Sequence, residues 1–330
     1  MVATQVNPEL DIRLTQQFKV RNIKILLLSL WYPLSMSRYF EKALRVRRDV
    51  DLITVGPYSG AWIPWMGGMS LPSRYATPPD LPLPFGMDVG RVSYDLVRAN
   101  LLDEWIPDLI LTIDAGICWS GKPQEGIVAH VATDSHCLDY SFQRTISDKF
   151  FNMHKTYMQE KDIWLPYAFC SQTCYADSTV SKDVDAVLIG MPYENRTRLV
   201  EALRQKGVSV LFENGPIFDE YRHLNNRATI GLNWSSLQDL NCRVFELMAM
   251  RLVPVINRVP DLDAMGFVEG RHYLGFSSLE EAVEKVLYAR SNPDVSASIA
   301  LNAYQKVHQE DHTYDNRVGS MLKECGLVLA

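Results

Sequence analysis

Apolar runs of strand length recur along the first half of the chain, each followed by a more polar stretch. "IKILLLSL" at 23–30 is a continuous apolar run of buried-strand length, and the segment around 38–48 has helical spacing. "VDLITVG" at 50–56 is a second strand, and "SYDLVRANLLDEW" again has helical spacing. "PDLILTIDAG" at 107–116 and "GIVAHVATDSH" at 126–136 are strands ending in acidic turns, and "DKFFNMHK" and "DIWLPYAF" complete the half. Near residue 180 the alternation restarts with the strand "DAVLIG" at 185–190. The helix "NRTRLVEALRQKG" follows, with Asn195 as its N-cap and Gly207 just past its end. "VSVLF" (208–212), "ATIGLNW" (228–234) and "LVPVIN" (252–257) are further strands. "SSLEEAVEKVLYAR" opens with a capping box from Ser278 to Glu281, and an amphipathic tail runs over 294–322.

This alternation predicts an α/β protein of two Rossmann-like domains with mostly parallel sheets. The expected divisions are 1–175, 176–305 and a final segment, 306–330. In such sheets ligands bind beyond the carboxyl ends of the strands. The polar residues collect there: Asp114, Asp134, His136, Gly190, Asn233 and the segment carrying Glu246. Two such edges facing each other make one cleft. The segment 57–87 breaks the pattern with Pro, Gly and the aromatics Tyr58, Trp62, Trp65, Tyr75 and Phe85. Aromatics among glycines suit either stacking on a flat acceptor or packing as a lid.

Composition changes this picture little. With 47% apolar and 22% charged residues, the 330-residue chain is an ordinary globular one. The net charge of −6 is spread without a basic tail, which weighs against a polyanionic partner. No run is long enough for a membrane span and no export signal is evident, so a cytoplasmic protein is expected. The six cysteines fall mostly in apolar segments, and Cys170–Cys174 lacks a second pair at zinc spacing. Reduced, buried thiols are the expectation.

One stretch asks for chemistry. In "LNCRVFELMAMRLVPVINRVPDLDAM" (240–265) a helix over 241–250 is apolar almost all round, yet it holds Glu246 and, in its first turn, Arg243. An unpaired buried carboxylate is costly. A helix N-terminus at Asn241 with Arg243 suits a phosphate, and Glu246 one turn deeper suits a diol. A nucleotide diphosphate offers both. An Arg243–Glu246 ion pair is the equal alternative. Gly190, followed by "MPYENR" and a helix, makes a second anion site with Tyr193, Arg196 and Arg198, or an ordinary turn with solvated arginines. "DLD" at 261–263 is expected to be a solvated turn rather than a metal site.

The stretch "RVFELMAMRLVPVINRVPDLDAM", with "EGRHYLGFSSLEEAVEKVLYARSNPD" and "HTYDNRV", resembles the C-terminal domain of glycosyltransferases of the spore-maturation (CgeB-like) type, related to the group 1 glycosyl transferases. "DAVLIGMPYENRTRLVEALRQKGVSV" resembles the first β–α–β unit of that domain, and "PDLILTIDAG", "VATDSH", "DKFFNMHK" and "WLPYAF" resemble its partner domain. The resemblance covers about 105–320. It implies a GT-B fold, a nucleotide-diphosphate sugar as donor, no cofactor or metal, and a final helix packed on the first domain. It also implies that Glu246 holds the ribose and Arg243 the diphosphate, within a donor site shared by Gly190, Tyr193, Arg196, Asn233 and Asn241. Many retaining relatives carry two glutamates seven residues apart. Here the upstream position is Gln238, with Asp239 beside it, and Met250–Arg251 replace a small residue and glycine.

Transfer needs a positioned acceptor hydroxyl, and inversion needs a base near it. The candidates are His136, Asp134 and Asp114, all past strand ends. An imidazole, titrating near 6.5 in water, suits that task. Each has a plainer use as a cap, turn former or loop residue. The acceptor is open: a glycan, a small molecule or, against the acidic charge, a modified DNA base lined by Arg38, Arg45, Arg47 and Arg48. Two other functions fit the same fold, an epimerase or hydrolase of sugar nucleotides and a binding protein without turnover.

Overall fold

A computed structural model describes residues 22–85, 90–113, 116–235 and 237–327. Seven strands form the first sheet: β1 (Ile23–Leu28), β2 (Val50–Pro57), β3 (Leu81–Leu83), β4 (Leu109–Ile113), β5 (Ile127–Ala132), β6 (Lys149–Asn152) and β7 (Ile163–Trp164). They pair in the order β7-β6-β5-β4-β1-β2-β3, all parallel. Parallel strands covered on both faces read as continuous apolar runs, which is why "ILLL" of β1 is wholly buried. Five parallel strands form the second sheet: β8 (Val184–Ile189), β9 (Val210–Glu213), β10 (Ala228–Asn233), β11 (Val253–Asn257) and β12 (Leu274–Phe276). Their order is β9-β8-β10-β11-β12. The strand order reverses between β8 and β10, and Gly190 and Asn233 stand at the carboxyl ends of those two strands. That crevice is where open α/β sheets bind ligands.

The first half carries the helices α1 (Ser37–Arg45), α2 (Tyr94–Arg98) and α3 (Ser141–Ile146). The second carries α4 (Glu194–Gln205), α5 (Phe218–Asn226), α6 (Cys242–Ala249), α7 (Pro260–Ala264), α8 (Leu279–Ser291), α9 (Pro293–Gln309) and α10 (Tyr314–Glu324). Helix α4 begins one residue before Asn195, and its N-cap, Tyr193, makes no side-chain bond. Asn195 instead takes the N–H of Arg196 at 2.9 Å from inside the first turn. Gly207 does sit left-handed at φ +72 past the end of α4, and Ser278 caps α8 by accepting from Glu281 N at 3.1 Å.

Helix α10 returns to the first half and packs on α1. Tyr314 stacks on Tyr39 with centroids 5.0 Å apart, and Phe40 meets its edge. The crossing chain before it pairs with the passage between the halves, Phe169 N donating to His312 O and Tyr314 N to Phe169 O. Buried Arg317 closes this crossing by donating to Pro166 O (2.7 Å) and to His312 Nδ1 (2.9 Å). One apolar cluster therefore runs through both halves, joining Phe40, Leu111 and Phe151 to Phe245, Met248 and Met321.

Two segments differ from the sequence-based expectation. The segment 57–85 is not structureless: it holds a two-stranded ladder (Trp62–Ile63 with Met69–Ser70) and supplies β3. It also reaches the second half. Tyr75 lies 5.5 Å from Phe218, Leu71 packs with Ile217, and Arg74 pairs with Glu220. The turn at "DLD" is not solvated. Asp261 is buried and accepts from Lys155 N (2.9 Å), Thr156 N (3.0 Å) and Thr156 Oγ1 (2.6 Å) of the first half. Asp261→Ala leaves those donors facing a void. It is expected to cost about 2–3 kcal/mol of stability, read as a lower urea midpoint at unchanged slope.

Candidate functional site

In the second half, the backbone turns at Gly190 with φ +149, a conformation side chains rarely adopt. A Cβ there would collide with the guanidinium of Arg243 and lie 3.4 Å from Nη1 of Arg196. The glycine thus lets two guanidinium groups close over the strand end. Arg243 is held by Nη1 donating to Asn233 Oδ1 at 2.9 Å. Arg196 is buried and donates to Trp234 O (2.7 Å) and Met191 O (3.0 Å), with Tyr193 4.8 Å from its guanidinium. Burial, and then the charge of Arg243, lower the pKa of Arg196 to about 10. Among the described residues no carboxylate lies within ion-pair distance of either arginine, and the buried Nε of Arg243 has no partner. The two adjacent cations repel each other and are offset only by the longer-range charges of Asp239 and Glu246, so the arrangement favours an anion.

Helix α6 starts at Asn241, extended at φ −124 and ψ 168. Its side chain makes no cap bond, and its buried Oδ1 has no partner. One turn on, Glu246 is almost wholly buried, as the apolar helix predicts. It does not pair with Arg243, whose bond goes to Asn233. Tyr39 of the first half donates to Glu246 Oε1 across a long 3.3 Å, and the buried Tyr221 hydroxyl faces the carboxylate outside hydrogen-bond geometry. Burial pushes the carboxyl of Glu246 up, against the opposing pull of Tyr221 and Arg243. Of the departures at the upstream position, Gln238 is an exposed turn residue at φ +59. Asp239, half-buried, puts negative charge near Arg196, Asp134 and His154.

In the first half, the chain leaves β5 at Thr133 and turns back. Leu138 N donates to Asp134 O at 2.9 Å, which presents Asp134 and His136 beside the neighbouring strand end. Burial raises the pKa of Asp134, with His136 and His154 opposing. The ring of His136 meets that of His154 edge-on at 4.9 Å. Parallel pairing of Ala132 with Asn152 brings the two imidazoles together. His154 was not among the residues singled out from the sequence, although "DKFFNMHK" repeats the form of "VATDSH", a strand with a histidine just beyond it. Asp114 lies outside the described residues.

The structure thus gathers Gly190, Arg196, Asn233 and Arg243 on one side, with Tyr193 exposed at the rim. It gathers Asp134 and His136 on the other, with Tyr157 donating across to Leu237 O at 3.5 Å. The arginines proposed as a nucleic-acid lining are largely occupied. Arg38 and Arg45 bind Glu41, Arg45 also binds Asp80, and Arg47 binds Asp49, so three of the four have their charge matched, while Arg48 is exposed. Among the described residues no group of three or more His, Cys, Asp or Glu side chains is placed to hold a metal ion. No described helix is long and apolar enough to cross a membrane.

Comparison with known proteins bears on the fold. No curated protein sequence matches the chain significantly. Anabaena Alr3699/HepE in complex with UDP and glucose superposes with a TM-score of 0.65 at 11% identity, covering 93% of this chain and 100% of that one. A glycosyltransferase from Rickettsia africae gives 0.61 at 9% identity, covering 92% and 98%. An alpha-glucosyltransferase in complex with UDP and a 13-mer DNA containing a HMU base gives 0.57 at 11%, covering 92% and 99%. Residues 180–323 match a family model described as glycosyl transferase-like. The chain has the two-domain GT-B fold, and its second half is similar to that glycosyl transferase-like family.

Proposed function

We propose that this protein is a glycosyltransferase of the spore-maturation type, moving a sugar from a nucleoside diphosphate to a hydroxyl acceptor. The observation that carries this is the pair of adjacent guanidinium groups of Arg196 and Arg243, neither in an ion pair among the described residues, folded over Gly190 at the switch point of the second sheet. They meet the leaving diphosphate, helped by the N-termini of α4 and α6. Their charge stabilises the departing oxygen, so this reading requires no metal. Asn241 offers its free acceptor to a donor hydroxyl. The donor domain is taken as 176–305, with 306–330 returning to the acceptor domain. Mostly buried free thiols fit the cytoplasm.

Chemistry follows the geometry. The acceptor oxygen attacks the anomeric carbon while the bond from that carbon to phosphate breaks, its electrons leaving on the diphosphate. His136 takes the acceptor's proton, and Asp134 on the same turn favours the resulting imidazolium. The bound UDP of HepE and of the alpha-glucosyltransferase makes UDP-glucose the first donor to try.

Glu246 receives the ribose hydroxyls, which replace the long bond from Tyr39. Glu246→Gln keeps the shape and removes the charge. Donor affinity is expected to fall about 10- to 100-fold, the worth of a charge-assisted hydrogen bond. Stability responds oppositely. A carboxyl raised by burial contributes stability below its unfolded pKa and loses it as pH rises through its folded one. The Gln variant therefore unfolds at the same or higher temperature than wild type at pH 8. Isothermal calorimetry and melting curves on the two chains check both expectations; unchanged donor affinity in a folded variant removes Glu246 from the site.

A further inference from the structure

The role of His136 leaves its neighbour unexplained. His154 is 1% exposed, and its backbone N–H is fixed to Asn152 Oδ1 at 3.0 Å. Its Nε2 lies 3.0 Å from Thr133 O. A carbonyl can only accept, so Nε2 carries the proton and Nδ1 is a bare acceptor. That Nδ1 is buried without a partner, and so is Nδ1 of His136. The rings holding these two nitrogens are 4.9 Å apart.

The bond to Thr133 does not account for the residue. Thr133 O already accepts from the Tyr167 hydroxyl at 2.6 Å, so the carbonyl would stay satisfied without the imidazole. An apolar ring would fill the same space without leaving a buried acceptor orphaned. Something else must repay that acceptor. The neighbouring group able to supply a donor is His136: as a base with its outer nitrogen bare it carries its one proton on the inner Nδ1, and that N–H becomes a stronger donor once the ring is an imidazolium.

We infer that His154 is a positioning residue, whose Nδ1 accepts the inner N–H of His136 once His136 has taken the acceptor's proton. This rests on the proposal that His136 is the base. The proton leaves the acceptor hydroxyl for the outer nitrogen of His136, and the inner N–H turns to His154; nothing is oxidised or reduced. His154 itself stays neutral, because burial lowers its pKa and a charge on His136 lowers it further. The other groups facing the pair are Asp134 on the same turn as His136, Asp239 and Asp261 from the second half, and the hydroxyls of Tyr157 and Tyr167. The carboxylates favour the imidazolium but leave the orphaned nitrogen unexplained. His130 supplies an internal comparison. It too has a buried unpartnered nitrogen, but it stacks on Phe150 and meets Tyr140 edge-on within the sheet's packing.

The test is NMR titration of isotope-labelled histidines in the full chain, needing neither donor nor acceptor. Wild type, His154→Phe, His154→Gln and the control His130→Phe are compared, with His136→Gln used to assign the His136 signal. The wild-type spectrum is expected to show His154 as the Nε2–H tautomer. In His154→Phe the acid dissociation constant of His136 is expected to rise about 10- to 100-fold, the equivalent of one charge-assisted hydrogen bond. His154→Gln, which can still accept, restores most of it, and His130→Phe leaves it unchanged. A His136 titration moved less than twofold in folded His154→Phe overturns the inference. So does a wild-type His154 protonated at Nδ1, a readout that needs no variant to fold. Failure of the base proposal reads differently: His136→Gln would transfer sugar at the wild-type rate whatever the titration shows.

Discussion

Replacing Arg243 by Met is expected to lower kcat/KM for a nucleotide-sugar donor by about 10²- to 10³-fold, the loss usual for one preorganised donor at a developing negative charge. Folding should not suffer. Arg243 makes no ion pair, and its side-chain bond is to Asn233 Oδ1. Its charge bears on buried Arg196, whose pKa it helps to hold down at about 10. Methionine keeps the hydrocarbon stem and removes a like charge beside Arg196, but it also leaves Asn233 Oδ1 without its donor and takes from Glu246 the guanidinium that favours its ionised form, so the melting temperature is expected to change little. A side chain needed for turnover and not for folding marks a site. Steady-state kinetics beside a melting curve separate the two effects. A variant that loses both together would make Arg243 a structural residue.

The second large effect is at His136. His136→Gln is expected to reduce kcat by about 10²- to 10⁴-fold, the contribution of a positioned general base, with the donor KM changed little. The donor contacts proposed above lie on Gly190, Arg196, Asn233 and Arg243 of the other half, so removing the imidazole leaves their geometry intact. The measurement is a full kcat and KM determination at saturating acceptor, once a donor–acceptor pair is known. Unchanged kcat would assign the reaction to a mechanism without a base, as retention allows. A loss in KM alone would place His136 in binding.

The candidate site of the second half was readable because its residues are local in sequence. An apolar helix of eight residues, Cys242–Ala249, with one carboxylate and one guanidinium announces that those charges have partners elsewhere. The strand-end positions of Gly190 and Asn233 follow from alternation alone. The fold was readable for the same reason, since each β–α unit carries its own periodicity; the return of the last helix to α1 was legible only through the family resemblance. What sequence could not give is register between distant segments. His154 meets His136 because β5 and β6 are adjacent in the sheet. Asp261 looked like a turn residue because nothing local says that the Lys155–Thr156 backbone will face it. Asn195 looked like a cap because its side chain does bind a first-turn N–H, from one position inside the helix. The aromatics of 57–85 gave no sign of their partner, yet Tyr75 meets Phe218 of the other half. The Arg243–Glu246 ion pair, the alternative that spacing left open, is the reverse case: the acceptor of Asn233 draws the guanidinium away.

Calorimetric titration of UDP-glucose, and of GDP-, ADP- and dTDP-sugars beside it, into wild type and Arg243→Met tests the central claim most directly. The account predicts that one of these donors binds wild type, and that the folded variant binds it about a hundredfold more weakly or beyond detection. Equal affinity in the two proteins, or no binding of any donor to wild type, would contradict it.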